Sequence, residues 1–397
     1  MLSDRILNMG ISKTLEMTAK ARKLKELGYN VINLSVGEPD FFPPSFILKA
    51  AKKAIDKGYH NYTPISGDLE LKKMICKKFK RDNNLNYSNS QILISNGVKQ
   101  SIINLFLALL NKNDEVIIPA PYWVSYYEMV KFCQAKPIII PTTIKSNFKI
   151  TSKQLKNVIT SKTKIFIFNS PCNPTGCVYS KKELKTLVKI LSKNPKIIII
   201  SDEIYEYIIY EKKHISIASF SEIYNQTVTL NGLSKSFSMT GWRVGYLGGP
   251  EWLTQACEKI QGQTTSCVNS IAQRASIVAL KYNQKKILKK ILNSFKKRRN
   301  LIITFFKEIP TLKFKSPDGA FYLFIDLSFF LKKNQSSNNF SMHLLNKYFV
   351  ATVSGESFGS KNGLRISYAS SKKNLFEALF RIKKFLNELL NSSYMYH

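Results

Sequence analysis

The sequence predicts an α/β fold: a mostly parallel sheet covered by helices on both faces, with a smaller α+β domain after it. Three observations predict it. Short β-rich runs alternate with stretches of helical period through most of the chain. One run, Ile197 to Ile200, is apolar on both faces, as a central strand of a covered sheet must be. After about Gln261 the alternation gives way to long, lysine-studded helical stretches and a strand-turn-strand unit.

Taken in order, Ser12 or Thr14 caps a helix running to Gly28, and a strand follows over Val31 to Ser35. Helical periods cover Phe46 to Lys57 and Leu69 to Arg81. Next come strand Gln91 to Ser95, helix Val98 to Leu110 and strand Glu115 to Ile118. A helix after Pro121 leads to strand Pro137 to Pro141. Strand Lys164 to Asn169, helix Lys181 to Ser192, and strands Lys196 to Ser201, Thr227 to Asn231 and Arg243 to Leu247 complete the sheet. Beyond it, helical pattern spans roughly Ser270 to Lys307. Phe314, the Pro317-Asp318-Gly319 turn and Phe321 to Asp326 form the strand-turn-strand unit. Helix Met342 to Tyr348, strands Val350 to Val353 and Leu364 to Tyr368, and a last helix Lys373 to Leu390 finish the small domain. The division this suggests is an N-terminal segment, 1–45, packing with the small domain; a large domain, 46–290; and the small domain, 291–397.

A chain of 397 residues, 44% hydrophobic and 22% charged, is long enough for one large domain and a smaller one. The richest apolar run, Ser101 to Leu110, is too short to cross a bilayer, and Met1-Leu-Ser-Asp-Arg opens without the apolar core of a secretory signal. The six cysteines (Cys76, Cys133, Cys172, Cys177, Cys257, Cys267) form no Cys-x-x-Cys pair and read as reduced thiols, so a cytoplasmic location without a membrane partner is expected. Sixty Lys+Arg against 26 Asp+Glu give a net charge of +34, which raises a nucleic-acid partner. The lysines, however, are dispersed as pairs on helices, such as Lys52-Lys53, Lys72-Lys73 and Lys289-Lys290, with no basic arm and no nucleic-acid motif. A solvated basic surface is therefore expected, and no specific nucleic acid. Four scattered histidines without a His-Glu-x-x-His pattern argue against a metal site.

Three strand ends carry polar residues that a fold alone does not need. They are Asn169-Ser-Pro-Cys-Asn-Pro-Thr-Gly176, Ser201-Asp-Glu-Ile-Tyr205, and Asn231-Gly-Leu-Ser-Lys235, which continues to Gly241-Trp-Arg-Val-Gly245. In a parallel sheet these ends share one edge, where ligands bind. An Asp, an Asn, a Tyr and a Lys on that edge invite Schiff-base chemistry. Each has a plainer reading taken singly: Asp202 as a helix cap, Asn173 as turn chemistry, Trp123 as core, Arg365 as a structural ion pair, Tyr62 as a satisfied buried tyrosine. One rival motif fails outright. Gly355-Glu-Ser-Phe-Gly359 matches a serine-hydrolase nucleophile elbow, but Lys361-Asn-Gly and another strand follow it, and the sole later histidine is the terminal His397.

Together, and with Gly37-Glu-Pro-Asp40 upstream and Arg365 downstream, these segments resemble the fold type I pyridoxal-phosphate-dependent aminotransferases. The similarity is greatest to the bacterial aspartate aminotransferase subgroup that includes prephenate-active members. The resemblance implies a large domain with a mostly parallel seven-stranded sheet, pyridoxal 5'-phosphate as cofactor, and a homodimer with shared active sites. It implies ping-pong transfer of the amino group of L-aspartate to 2-oxoglutarate, with amino acids and 2-oxo acids as partners. Aromatic, kynurenine or prephenate substrates on the same scaffold are the alternative.

It also implies roles. Lys235 binds the cofactor covalently and then serves as general base and acid. Asp202 faces the pyridine nitrogen, and Asn173 and Tyr205 donate to the phenolic oxygen. Trp123 stacks on the ring, Arg243 with the backbone at Val98 and Lys99 holds the phosphate, and Tyr62 reaches the neighbouring subunit's phosphate. Arg365 grips the substrate α-carboxylate, which the Gly37 backbone approaches with Trp123 and Asn173 nearby, and Lys99 takes the distal carboxylate. Two positions depart from the pattern. Gly232 stands where many relatives have a serine that donates to the phosphate, a loss of about 1–3 kcal/mol. Gly10, in Asn8-Met-Gly-Ile-Ser12, stands where prephenate-active relatives carry a lysine, and Lys13 is offset from it.

Overall fold

A computed structural model describes every residue except 1, 8, 11–12, 282–283, 332–334 and 395–397. Of the residues named above, Met1, Asn8, Ile11, Ser12 and His397 lie outside the described residues. The first strands are β1 (Ile32–Asn33), β2 (Ile92–Ser95), β3 (Glu115–Pro119), β4 (Lys136–Ile140), β5 (Thr163–Asn169) and β6 (Ile198–Asp202). They are followed by β7 (Thr227–Gly232), β8 (Gly245–Gly248), β9 (Lys313–Phe314) and β10 (Tyr322–Asp326). The last are β11 (Val350–Ala351), β12 (Val353–Ser354) and β13 (Gly363–Ser367).

Seven of these form the central sheet, in the order β2-β8-β7-β6-β5-β3-β4. Strand β8 alone runs antiparallel to its neighbours; β4, β3, β5, β6 and β7 pair in parallel. The isoleucine run explains how the sheet is held. Ile198 and Ile200 pack into one cluster with Ile102, Leu105 and Phe106 of the helix Val98–Leu109. Ile197 and Ile199 enter the opposite cluster with Leu184, Leu187 and Val188 of the helix Lys181–Leu191. Each such side chain contributes about 1.5–3 kcal/mol on burial, so both faces must be covered for the strand to be stable.

The smaller part carries an antiparallel sheet, β12-β13-β10-β9, packed on the helices Gln284–Lys307 and Lys372–Tyr394. Near the chain start, β1 pairs in parallel with β11, and Met17 and Ala21 of the helix Lys13–Glu26 pack against Leu345 and Ala351.

Several sequence expectations needed correction. The strand over Val31 to Ser35 is two residues long, and the Ser35 backbone N–H donates to Asn33 Oδ1 at 3.0 Å instead of to a neighbouring strand. Val350 to Val353 is split between two sheets, β11 pairing β1 and β12 pairing β13. The pattern from Ser270 to Lys307 contains two helices, Ser270–Lys281 and Gln284–Lys307. Helices Ser152–Val158 and Glu251–Thr264 were not anticipated. The helix beginning at Leu69 ends at Lys78 and widens into a π-turn, Phe79–Asn83. That turn aims both Lys78 and Asn83 inward, onto the buried Glu206 carboxylate.

Candidate active site

The register of the parallel strands sets three ends side by side. Asn169 stands opposite Asp202, and Asp202 opposite Leu230, one residue before Asn231. A cavity of about 460 Å³ opens there, at the carboxyl ends of the strands, as expected for a sheet of this kind. Its walls include Lys235, Asp202, Tyr205, Asn173, Trp123, Val98, Lys99, Arg243, Gly37 and Arg365. Of the residues singled out in the sequence, Tyr62 lies elsewhere, with 90% of its surface exposed.

Asp202 ends β6, and its carboxylate is buried. It accepts from the Tyr126 hydroxyl at 2.6 Å and from the Ile204 backbone N–H at 3.2 Å. Burial pushes its pKa up to about 6 against these two bonds. Asn169 donates to the Asp202 carbonyl at 2.8 Å and accepts from the Asn173 N–H at 2.9 Å, tying two strand ends to the loop after β5. Across the cavity the Lys235 ammonium donates to the Gly37 carbonyl at 2.8 Å. Burial lowers its pKa to about 8, which puts a neutral amine within reach of ordinary solution conditions.

Arg365 comes from β13, in the small sheet. Its guanidinium donates to Asn173 Oδ1 at 3.0 Å and to the Ser35 carbonyl, and it lies over the Tyr322 ring at 4.6 Å. Its Nε has no hydrogen-bond partner among the described residues, and burial lowers its pKa. Since Asn173 Oδ1 is engaged, the amide nitrogen is left as its donor end. The Tyr205 hydroxyl meets that of Tyr322 at 2.8 Å.

The remaining wall is built for an anion. The helix Val98–Leu109 starts at Gly97, in the left-handed region at φ 82°, and no side chain caps it. Arg243, also left-handed at φ 56°, donates to the Asn96 carbonyl at 3.1 Å. A Cβ at Gly97 would run into the Arg243 guanidinium, and one at Gly245 into the Val98 N–H. Two glycines thus let an arginine, a strand and a helix start converge, and uncapped amides beside a guanidinium attract an anion. Trp123 precedes the helix Val124–Phe132, with the Lys99 ammonium 5.1 Å from its ring. Burial, and then Arg243, lower the Lys99 pKa.

This geometry meets the comparisons with known proteins. The family model for aminotransferase class I and II matches residues 29–382. The chain belongs to that family. Among its aminotransferase relatives, the aspartate aminotransferase of Bacillus subtilis is 44% identical, with 98% of this chain and 99% of that one covered. A Petunia hybrida protein named bifunctional aspartate aminotransferase and glutamate/aspartate-prephenate aminotransferase is 44% identical over 97% of this chain and 82% of its own. Among solved structures, the aspartate aminotransferase from Rhizobium meliloti superposes with a TM-score of 0.92 at 40% identity, covering 96% of this chain and 98% of that one.

The aminotransferase site contains residues the sequence did not point out. Tyr126 and Tyr322 hold Asp202 and Tyr205, yet each sits in an apolar run where a tyrosine reads as core. Their spacing held a clue: Tyr126 is one helical turn past Trp123, and Tyr322 is opposite Ser367, two residues from Arg365. Glu203, next to Asp202, points away from the cavity and accepts from Ser201, Ser216 and His214. Glu203, Glu206 and His214 come close enough to ligate a metal, but the buried Lys78 ammonium already pairs with Glu206 there. At the chain start the Gly10 N–H donates to the Glu128 carboxylate at 2.7 Å, while Lys13 pairs with Glu16.

Proposed function

We propose that this aminotransferase uses pyridoxal 5'-phosphate to move the amino group of L-aspartate to 2-oxoglutarate. The observation that carries the reading is the convergence of Lys235, Asp202 and Arg365, an amine, a carboxylate and a guanidinium, on one cavity from three separate segments. The residues fit the cofactor. The glycine-lined cradle at Gly97 and Gly245 suits its phosphate, and a buried carboxylate at Asp202 calls for a cationic partner. When bound, the cofactor supplies an electron sink for the pair left as the substrate Cα–H ionises.

The chain's own residues do the rest. Asp202 keeps the proton on the pyridine nitrogen, and Tyr126 holds Asp202 in place. Asn173 and Tyr205 donate to the phenolic oxygen, with Tyr322 orienting Tyr205. Arg243 and the amides of Val98 and Lys99 hold the phosphate, and Trp123 covers the ring. Arg365 forks onto the α-carboxylate beside Gly37, and its unpartnered Nε is the free prong. Lys235, its amine disfavoured as a cation by burial, takes the Cα proton at Nζ and returns it. Lys99, on the cavity wall with its ammonium 5.1 Å from the Trp123 ring, receives the distal carboxylate.

A homodimer in a cytoplasmic setting completes the reading. Tyr62 is exposed and free to reach a partner's phosphate, and all six cysteines are unbridged. In the division into 1–45, 46–290 and 291–397, the β1–β11 pairing supports the packing of the first segment with the small domain, while one continuous helix, Gln284–Lys307, runs through the second boundary. No described helix is long and apolar enough to cross a membrane. A second reading, aspartate and prephenate together, is favoured by a wider cavity of about 1220 Å³ that shares Lys99 and Arg243 with the site. Competition between the two substrates separates them. The anchor itself is tested by loading the protein with pyridoxal phosphate, reducing with borohydride and mapping the label. Label on Lys235 is expected; label on another lysine, or none, overturns the assignment.

A further inference from the structure

Two buried thiols sit beside the site, and nothing in the proposed reaction uses them. Cys172 and Cys177 flank Asn173-Pro174-Thr175-Gly176, the loop that follows β5. The Cys172 N–H donates to the Cys177 carbonyl at 3.1 Å, and the Gly176 N–H to the Cys172 carbonyl at 2.8 Å, so the loop closes on itself. A backbone hydrogen bond of that length keeps the two Cα atoms within about 7 Å, the upper limit of what a disulfide spans. Each thiol has a backbone carbonyl as its acceptor, Pro121 for Cys172 at 3.6 Å and Phe148 for Cys177 at 3.8 Å. The neighbouring Cys172 thiol, with help from Thr175 and Lys149, holds the Cys177 thiol below its usual pKa, and Cys177 together with burial holds Cys172 above. Both cysteines line one cavity of about 20 Å³, room for one water-sized molecule. Cys133 and Cys257, by contrast, are pushed up by burial.

The loop has little slack. The Gly176 carbonyl accepts from the Asp318 and Gly319 N–H groups at 2.9 Å each, while Asn173 Oδ1 holds Arg365 at 3.0 Å. We propose that Cys172 and Cys177 form a dithiol that small hydroperoxides oxidise to a disulfide, and that the bridge loosens the hold of Asn173 on Arg365. The Cys177 thiolate attacks the peroxide; the O–O bond breaks, an S–O bond forms, and the departing oxygen leaves as water or an alcohol. Cys172 sulfur then attacks Cys177 sulfur; the S–S bond forms, the S–O bond breaks, and water leaves with the Cys172 proton. The dithiol loses two electrons and the peroxide gains them. A thiol reductant reverses the step.

The effect on the substrate clamp rests on the proposed aminotransferase reading, whereas the bridge does not. Hydrogen peroxide is therefore applied to the cofactor-loaded protein, free thiols are alkylated under denaturing conditions, and peptides are mapped by mass. The expected result is a peptide holding both cysteines, unalkylated and lacking two hydrogens, restored by dithiothreitol. The KM for aspartate should rise about tenfold in step with it, the worth of one charge-assisted hydrogen bond. A Cys177→Ser variant should form no bridge and keep its KM through the treatment. Alkylation of both cysteines after peroxide, or oxidation of Cys177 alone, overturns the bridge whatever the enzyme's substrate. A bridge without a change in KM, or a change that persists in Cys177→Ser, overturns its link to the clamp.

Discussion

Asp202 and Lys235 are displaced in opposite directions by the same cause. Burial raises the carboxyl to about 6 and lowers the amine to about 8. Both shifts cost the cofactor-free fold at neutral pH, where both groups are charged. For Asp202, the native state binds the proton more tightly than the unfolded chain does. Its stabilising contribution is full below the ordinary carboxylate range and is lost as pH rises through about 6. Keeping that buried carboxylate ionised at neutral pH costs about 3 kcal/mol. Asp202→Asn is therefore expected to stabilise the cofactor-free protein by up to about 3 kcal/mol in a denaturant titration, and to cut turnover by about a hundredfold or more. For Lys235 only the neutral amine attacks a carbonyl, so the rate of covalent cofactor capture should rise with pH and level off above about 8. Stopped-flow absorbance reads it directly; a pH-independent rate would point to another nucleophile. Lys235, Asp202 and Asn173 were legible because they sit at or just after strand ends that share one sheet edge, whereas Arg365, in the middle of β13, was legible only through the family resemblance. Tyr126 and Tyr322 were not, since a phenol on an apolar period hides its hydroxyl among core residues.

Among the elements, the start of the helix Val98–Leu109 is the part where backbone shape matters most. Gly97 is left-handed and its missing Cβ makes room for the Arg243 guanidinium. Gly97→Ala should lower affinity for pyridoxal phosphate about tenfold or more by displacing the arginine. Its affinity for pyridoxal lacking the phosphate should change little, and fluorescence titration compares the two. Equal losses for both ligands would mean that the helix start does not hold the phosphate. The sequence revealed this helix and its strand because both keep a clean period over their whole length. It did not reveal the π-turn Phe79–Asn83, whose extra residue per turn answers to Glu206, more than a hundred residues away. The split of β11 from β12 was hidden for a similar reason: two strands joined by a single Thr352 serve different sheets, and no local pattern records the partner.

At the scale of the whole molecule, the small sheet brings Arg365 to a cavity built mainly by the large one, so the site depends on how the two parts meet. The high positive charge leaves no mark on that cavity beyond Lys99, Lys235, Arg243 and Arg365, each with a role in the proposed reaction. In the proposed reading, Tyr62 would extend the site to a partner chain. Tyr62→Ala should weaken cofactor binding several-fold, about the worth of one hydrogen bond to a phosphate, in a protein that sediments as a dimer. A monomer, or a dimer with unchanged affinity, would remove Tyr62 from the site. The most direct test of the account is a half-reaction. Cofactor-loaded protein is mixed with L-aspartate and no 2-oxo acid, while the visible absorbance of the bound cofactor and the oxaloacetate formed are followed together. The account predicts loss of the absorbance with about one oxaloacetate per site, at far lower concentration than L-phenylalanine requires. No oxaloacetate, or conversion as ready with phenylalanine as with aspartate, would contradict it.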